Sequence, residues 1–160
     1  MLPIRTILHP TDFSERSQNA FRLACSLARD YGGHLIVLHV VPTPLAVYME
    51  GVVAGPTEGF QEEVQAQLCE LKPEFNDVLP EYRTVEGDAI HEILRFAEDN
   101  SCDLIVMGTH GRTGLGRFLM GSVAEGVVRK AGCPVLTVKT PFPVACTCEG
   151  EPAKEEAVSP

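Results

Sequence analysis

The 160-residue sequence predicts an α/β fold, a single domain built on an open parallel sheet with helices on both faces. Three observations predict it. Short apolar runs that fit strands alternate with stretches whose apolar residues recur at helical spacing, the pattern of parallel strands joined by right-handed crossovers. The central apolar runs are uninterrupted, as strands covered on both faces require. Length and composition suit one folded domain, with 44% apolar and 22% charged residues.

Taken in order, Ile4 to Leu8 reads as the first strand, expected to stop at His9-Pro10 because proline lacks a backbone donor. Thr11-Asp12-Phe13-Ser14-Glu15 is rich in helix-starting residues, and Ala20, Phe21, Ala24, Leu27, Ala28 and Tyr31 follow at helical spacing. Gly32-Gly33 closes that helix, and His34 to Val41 is the second strand. Residues 42–57 hold three prolines and two glycines and read as a long connection. Phe60, Val64, Leu68 and Leu71 mark one stripe of the next helix, which stops near Lys72-Pro73. Glu81 to Glu86 alternates as a strand at or near an edge. Gly87-Asp88 then opens a helix with Ile90, Ile93, Leu94 and Ala97 on one face. Leu104 to Met107 is a buried strand ended by Gly108. A last helix starts at Gly121 with Val123, Ala124, Val127, Val128 and Ala131 inward, and Gly132-Cys133-Pro134 turns into a final strand, Val135 to Val138. The tail from Pro141 has no period and reads as disordered, so the expected division is a folded domain over 1–140 and an acidic tail over 141–160.

Charge and cysteine usage narrow the function classes. A net charge of −9 argues against nucleic acid as a main partner, because phosphate contacts need clustered cations. Between Gly108 and Ser122, however, there is no acid, only Arg112, Arg117 and His110, a positive island on an acidic chain. No apolar run is long enough to cross a bilayer, and Met1-Leu2-Pro3-Ile4-Arg5 lacks the build of a secretory signal, so the expected location is the cytoplasm. Cys25, Cys102 and Cys133 read as small buried residues. Cys146-Thr147-Cys148 could bind a soft metal or oxidise, but it has no second pair and no neighbouring histidine.

Ligands of open α/β sheets settle beyond the carboxyl ends of the strands. Two strand ends carry suitable residues: His9-Pro10-Thr11-Asp12, and the glycine-studded run from Gly108 to Arg117 followed by Gly121-Ser122. Glycines let successive N–H groups converge on an anion, and a helix N-terminus adds free N–H groups and a favourable dipole. The run contains no G-x-x-x-x-G-K-[ST], and Leu119 stands where a dinucleotide fingerprint needs its third glycine.

What the residues do form is G-x2-G-x9-G-[ST], from Gly108, Gly111 and Gly121-Ser122, with Pro10-Thr11-Asp12-Phe13-Ser14 upstream and Pro134 to Val138 downstream. In these motifs, over about residues 3–139, the chain resembles the universal stress protein family, and its ATP-binding branch in particular. The resemblance implies a Rossmann-like, adenine nucleotide alpha hydrolase-like sheet in strand order 3-2-1-4-5, with its switch point between strands one and four. It implies that Pro10, Thr11 and Asp12 line the adenosine side, Val40 packs on adenine, and Met107 and Gly108 border the sugar. Gly111, Gly121, Ser122 and Val123 would close around the phosphates of ATP, ADP or AMP, with or without Mg, while Arg112 and His110 stand beside them. It also implies a homodimer through Val135 to Val138, and a binding module of stress response or signalling rather than an efficient enzyme. A slow ATPase or phosphotransferase in the same pocket is the alternative.

Plainer roles compete at several positions. Asp12 could cap the first helix with Glu15 completing a capping box, and Ser122 could be an N-cap. His110 and Arg112 could be solvated, His9 and His39 could be core or rim residues, and His91 could lie on the surface.

Overall fold

The computed structural model describes residues 4–42, 58–109 and 120–139, the side chains of 58–61 excepted. The 43–57 connection, His110, Gly111, Arg112, Arg117, Cys146, Cys148 and the tail lie outside the described residues. The elements run β1 (Thr6–Thr11), α1 (Glu15–Tyr31), β2 (His34–Val41), α2 (Glu58–Glu70), β3 (Glu81–Glu86), α3 (Ala89–Asp99), β4 (Leu104–Gly108), α4 (Ser122–Lys130) and β5 (Val135–Val138). The strands form one sheet in the order β3-β2-β1-β4-β5, every pair parallel.

Strand alternation divides the core into two layers. On one face Ile7, Leu35, Val37, Leu104 and Val106 pack against Ala20, Phe21 and Ala24 of α1 and Val64 and Leu68 of α2. On the other, Leu8, Ile36, Leu38, Ile105 and Met107 pack against Ile93 and Ala97 of α3 and Ala124 and Val127 of α4. The small residues of α1 let that helix lie close to the sheet, and Gly126 gives Ile90 of α3 room against α4. Complete burial of a Leu, Ile or Val is worth about 1.5–3 kcal/mol, so each layer rests on several such residues. No described helix is long and apolar enough to cross a membrane.

Four expectations need correction. β1 does not stop at His9-Pro10 but runs through both to Thr11. The last helix buries Ala124 and Val127, whereas Val128 is 43% exposed, turned away from the sheet. Its N-cap is Gly121, not Ser122, and no side chain caps it. Cys25 and Cys102 are buried as expected, but Cys133 is only half-buried.

Two helices end with the same pair of bonds but different residues. After α1, Gly33 N–H donates to Ala28 O and Gly32 N–H to Arg29 O, with Gly32 left-handed at φ 60°. After α3, Cys102 N–H donates to Ala97 O and Ser101 N–H to Glu98 O, and the left-handed position is Ser101 at φ 48°. A side chain in that conformation costs about 1–2 kcal/mol that glycine avoids. Gly33 is constrained by space instead, since a Cβ would stand 2.9 Å from Ile4 O and 3.2 Å from Arg5 O. Ser101→Gly is expected to raise stability by about 1 kcal/mol, net of glycine's freer unfolded chain, and the melting temperature by roughly 2–4 °C. Gly33→Ala is expected to lower both; thermal denaturation of the two variants checks the pair.

Candidate functional site

The site begins where β1 and β4 stop pairing. β1 is in register with β2 from Thr6↔His34 to Thr11↔His39, but with β4 only at Ile7↔Leu104 and Leu8↔Ile105. In that register the next rung would run from the N–H of residue 10 to the carbonyl of Val106. Pro10 has no N–H. The His9 side chain supplies the donor instead, with Nδ1 2.8 Å from Val106 O. Because a carbonyl can only accept, Nδ1 carries the hydrogen and Nε2 is the unprotonated nitrogen of the neutral ring. Nε2 is buried without a hydrogen-bond partner among the described residues, and the ring lies 5.7 Å from that of Phe21. Burial pushes the imidazole pKa down to about 4, against opposing contributions from the Val106 bond and Asp12. His9 is thus a core histidine that mends the sheet.

Beyond the last rung the chain turns sharply. Phe13 is left-handed at φ 64°, unusual for a bulky residue, and the turn around it is closely braced. Phe13 N–H donates to Thr11 Oγ1 at 3.2 Å, and Ser17 Oγ donates to the same oxygen at 2.9 Å. The Thr11 carbonyl accepts from His39 Nδ1 at 2.8 Å, and the His39 ring packs 4.5 Å from that of Phe13. Asp12 does not cap α1. Its Oδ1 accepts from Ser14 N–H at 3.1 Å and Ser14 Oγ at 2.7 Å, and Ser14 is the N-cap, accepting from Ser17 N–H. Both Thr11 oxygens are thus engaged within the turn, and Asp12 stands half-exposed at its edge.

The glycine-rich segment leaves and returns through a closed neck. Thr109, 5% exposed, donates its N–H to Val138 O at 3.1 Å, and its carbonyl accepts from Gly121 N–H at 2.7 Å. That bond sets the start of α4 beside the end of β4. The first backbone bond of α4 joins Glu125 N–H to Gly121 O, so the preceding N–H groups of the first turn face outward without a side-chain cap. Neither described glycine of the motif needs a positive φ. Gly121 is extended at φ −73°. Gly108 is needed for room, since a Cβ there would lie 3.1 Å from the Arg16 carbonyl group and 3.2 Å from Ser17 N, in the first turn of α1.

Pro10 and Thr11 are buried at the end of β1, and Met107 and Gly108 end β4 next to it. Val40, Met107 and Val123 share the apolar layer beneath α3 and α4, Met107 fully inside and the two valines half-buried at its border. Ser122 is exposed on the first turn of α4. Sequence reasoning passed over Thr109 and the structural roles of His39 and Phe13. The available signal was a polar residue directly after a buried strand, at the mouth of a glycine-rich excursion.

The universal stress protein family model matches residues 3–139 of this chain. A universal stress protein of Methanocaldococcus jannaschii, MJ0531, is 39% identical over 141 residues, covering 86% of this chain and 83% of the relative. The solved structure of MJ0577 from the same organism superposes with a TM-score of 0.65 at 33% identity, covering 87% of this chain and 98% of that one. The universal stress protein of Archaeoglobus fulgidus in complex with dAMP has the same fold, with a TM-score of 0.63 at 22% identity over 87% of this chain and 100% of that one.

The buried His9 makes stability depend on mildly acid pH. Its folded pKa of about 4 lies below the ordinary 6.5, so between those values the unfolded chain binds more protons. Stability is therefore fully present above pH 6.5 and falls by about 3 kcal/mol as pH drops through 4. His9→Asn, whose amide can still donate towards Val106 but does not titrate, is expected to flatten that window. Urea denaturation of both proteins from pH 7 to 4.5 checks it.

Proposed function

Since the chain belongs to the universal stress protein family, we propose that it binds an adenine nucleotide across the open end of β1 and β4 and acts as a nucleotide-responsive homodimer. The observation that carries the reading is the Gly121 N–H to Thr109 O bond, which sets an uncapped helix start beside the β1–β4 switch point. Gly121, Ser122 and Val123 would offer main-chain N–H groups to phosphate, joined by Gly111, Arg112 and His110. Asp12 would accept from the ribose, Pro10 and Thr11 would shape the adenosine wall, and Met107 and Gly108 would lie beneath the sugar. Val40 would receive the base at the border of the apolar layer. The dAMP complex of the A. fulgidus protein supports the class, since it puts an adenine nucleotide on the same fold.

Magnitudes favour a distributed site. A helix N-terminus contributes roughly 0.3–1 kcal/mol to a bound anion, and up to about 2 in good geometry. Micromolar affinity requires about 8 kcal/mol, so base and sugar contacts must supply most of it. Binding is favoured over turnover because the described site has no histidine poised over a hydroxyl: His9 is sealed and neutral, and His39 Nδ1 is committed to the Thr11 carbonyl. For the dimer, β5 is an edge strand, and Leu136 on it is 38% exposed, as is Val128 on neighbouring α4 at 43%.

Gly121→Val is the direct test, because the backbone at φ −73° accepts valine while its methyl groups would enter the space assigned to phosphate. Calorimetric titration with ATP should show affinity reduced at least about tenfold with the fold retained by circular dichroism, and equal affinity would overturn the loop assignment. ADP release by the wild-type protein should stay at background; turnover lost in Asp12→Asn would favour the slow-enzyme alternative.

A further inference from the structure

Two thiols stand outside this reading. Cys102 and Cys133 occupy equivalent places in successive units, each after a helix and just before a strand, Cys102 ahead of β4 and Cys133 ahead of β5. β4 and β5 are neighbours, with Ile105 paired to Val135 and Ile105 N–H donating to Pro134 O at 3.0 Å. Carried back towards the strand starts, that register sets Cys133 opposite Asp103, the residue next to Cys102. In a regular ladder, with strands about 4.8 Å apart and residues about 3.3 Å apart, such diagonal neighbours would have α-carbons about 6 Å apart. Disulfides span roughly 4.4–6.8 Å between α-carbons and favour about 5.5–6 Å.

Strict strand alternation would send the two side chains to opposite faces, but it does not hold at Asp103. The Asp103 N–H donates to Thr6 O at 2.9 Å, and its carboxylate accepts from the N–H groups of Arg5 and Thr6 at 2.8 and 3.0 Å, turning the chain before β4 begins. Cys102 in consequence packs into the layer beneath α3 and α4 with Ala97 and Ile105, and Cys133 packs against that same layer.

We propose that Cys102 and Cys133 form a dithiol pair that a peroxide or a small disulfide oxidises to an intramolecular disulfide. With hydrogen peroxide, the half-exposed Cys133 attacks as thiolate, breaking the O–O bond and leaving a sulfenic acid and one water. The Cys102 sulfur then attacks the sulfenic sulfur and expels the second water. The two thiols lose two hydrogens and two electrons in all, and the peroxide gains them. Burial pushes the Cys102 thiol up to about 11, helped by the charges of Cys133 and Asp103, and burial with the Asp103 charge raises Cys133 as well. The reaction should therefore be slow at neutral pH and faster in mild base, and its product resistant to reduction, since high-pKa thiols are poor leaving groups. The bond would close a ring over residues 102–133, holding both ends of the glycine-rich segment and tethering the edge strand β5 at its base.

The test is oxidation of the full-length chain with hydrogen peroxide or diamide at pH 8, followed by denaturing alkylation and mass spectrometry of a non-reduced digest. The expected product is one linked peptide pair joining Cys102 to Cys133, accompanied by a rise in melting temperature that excess dithiothreitol reverses only on prolonged incubation. In Cys133→Ser the rise should vanish and Cys102 should be recovered as an alkylated thiol. Recovery of Cys102 as a free thiol from the oxidised wild type would overturn the proposal. So would Cys133 linked to any other cysteine, or to a second chain, with Cys102 unlinked.

Discussion

The structure depends on a hydrogen bond that the backbone cannot make. β1 is the central strand, paired on both sides, and Pro10 interrupts its ladder on the β4 side alone. An unpaired buried carbonyl costs about 1–3 kcal/mol, and Val106 would carry that cost without the His9 imidazole. The repair lets β1 stay in register with β2 to Thr11 while releasing it from β4 after Leu8. The parting of the two strand ends is the consequence. It lies at the point where strand order reverses, the general place for a ligand in an open parallel sheet.

What surrounds the parting is rigid for local reasons. The turn from Thr11 to Ser14 uses two side-chain oxygens, an N-cap and the His39 ring to hold Phe13 left-handed. Across from it, Thr109 bonds β5 through its N–H and α4 through its carbonyl, so the two ends of the glycine-rich segment meet whatever lies between them. Gly108 lets the first turn of α1 approach the end of β4. Several residues of the motif therefore hold the ends of β1 and β4 in place.

The apolar periodicity of Ala20, Phe21, Ala24 and Ala28, and of Ile93 and Ala97, was enough to lay out the helices, because burial of one helix face is written every three or four residues. Uninterrupted runs such as 35–38 marked buried strands for the same reason. The glycine spacing from Gly108 to Gly121-Ser122, with Pro10-Thr11-Asp12, pointed to the region of the site and to the family. These are local patterns, and local physics suffices to read them.

Other features had no local signature. Pro10 argued for ending β1, and only the presence of β2 on one side and His9 beneath the other could overrule it. Asp12 and Ser14 are both good caps, and the choice between them follows from how the Thr11 turn is braced by Ser17 and His39. Val127 and Val128 follow Ala124 by three and four residues, but only Val127 is turned into the layer beneath α4. Gly108 was legible as a ligand-facing glycine, and its contact with Arg16 and Ser17 joins residues far apart in the chain. Local pattern laid out the order of the elements and most of their buried faces, and it marked the candidate site. The tertiary structure decided which polar groups hold that site open, because each of those bonds joins strands or turns that meet only once the sheet is assembled.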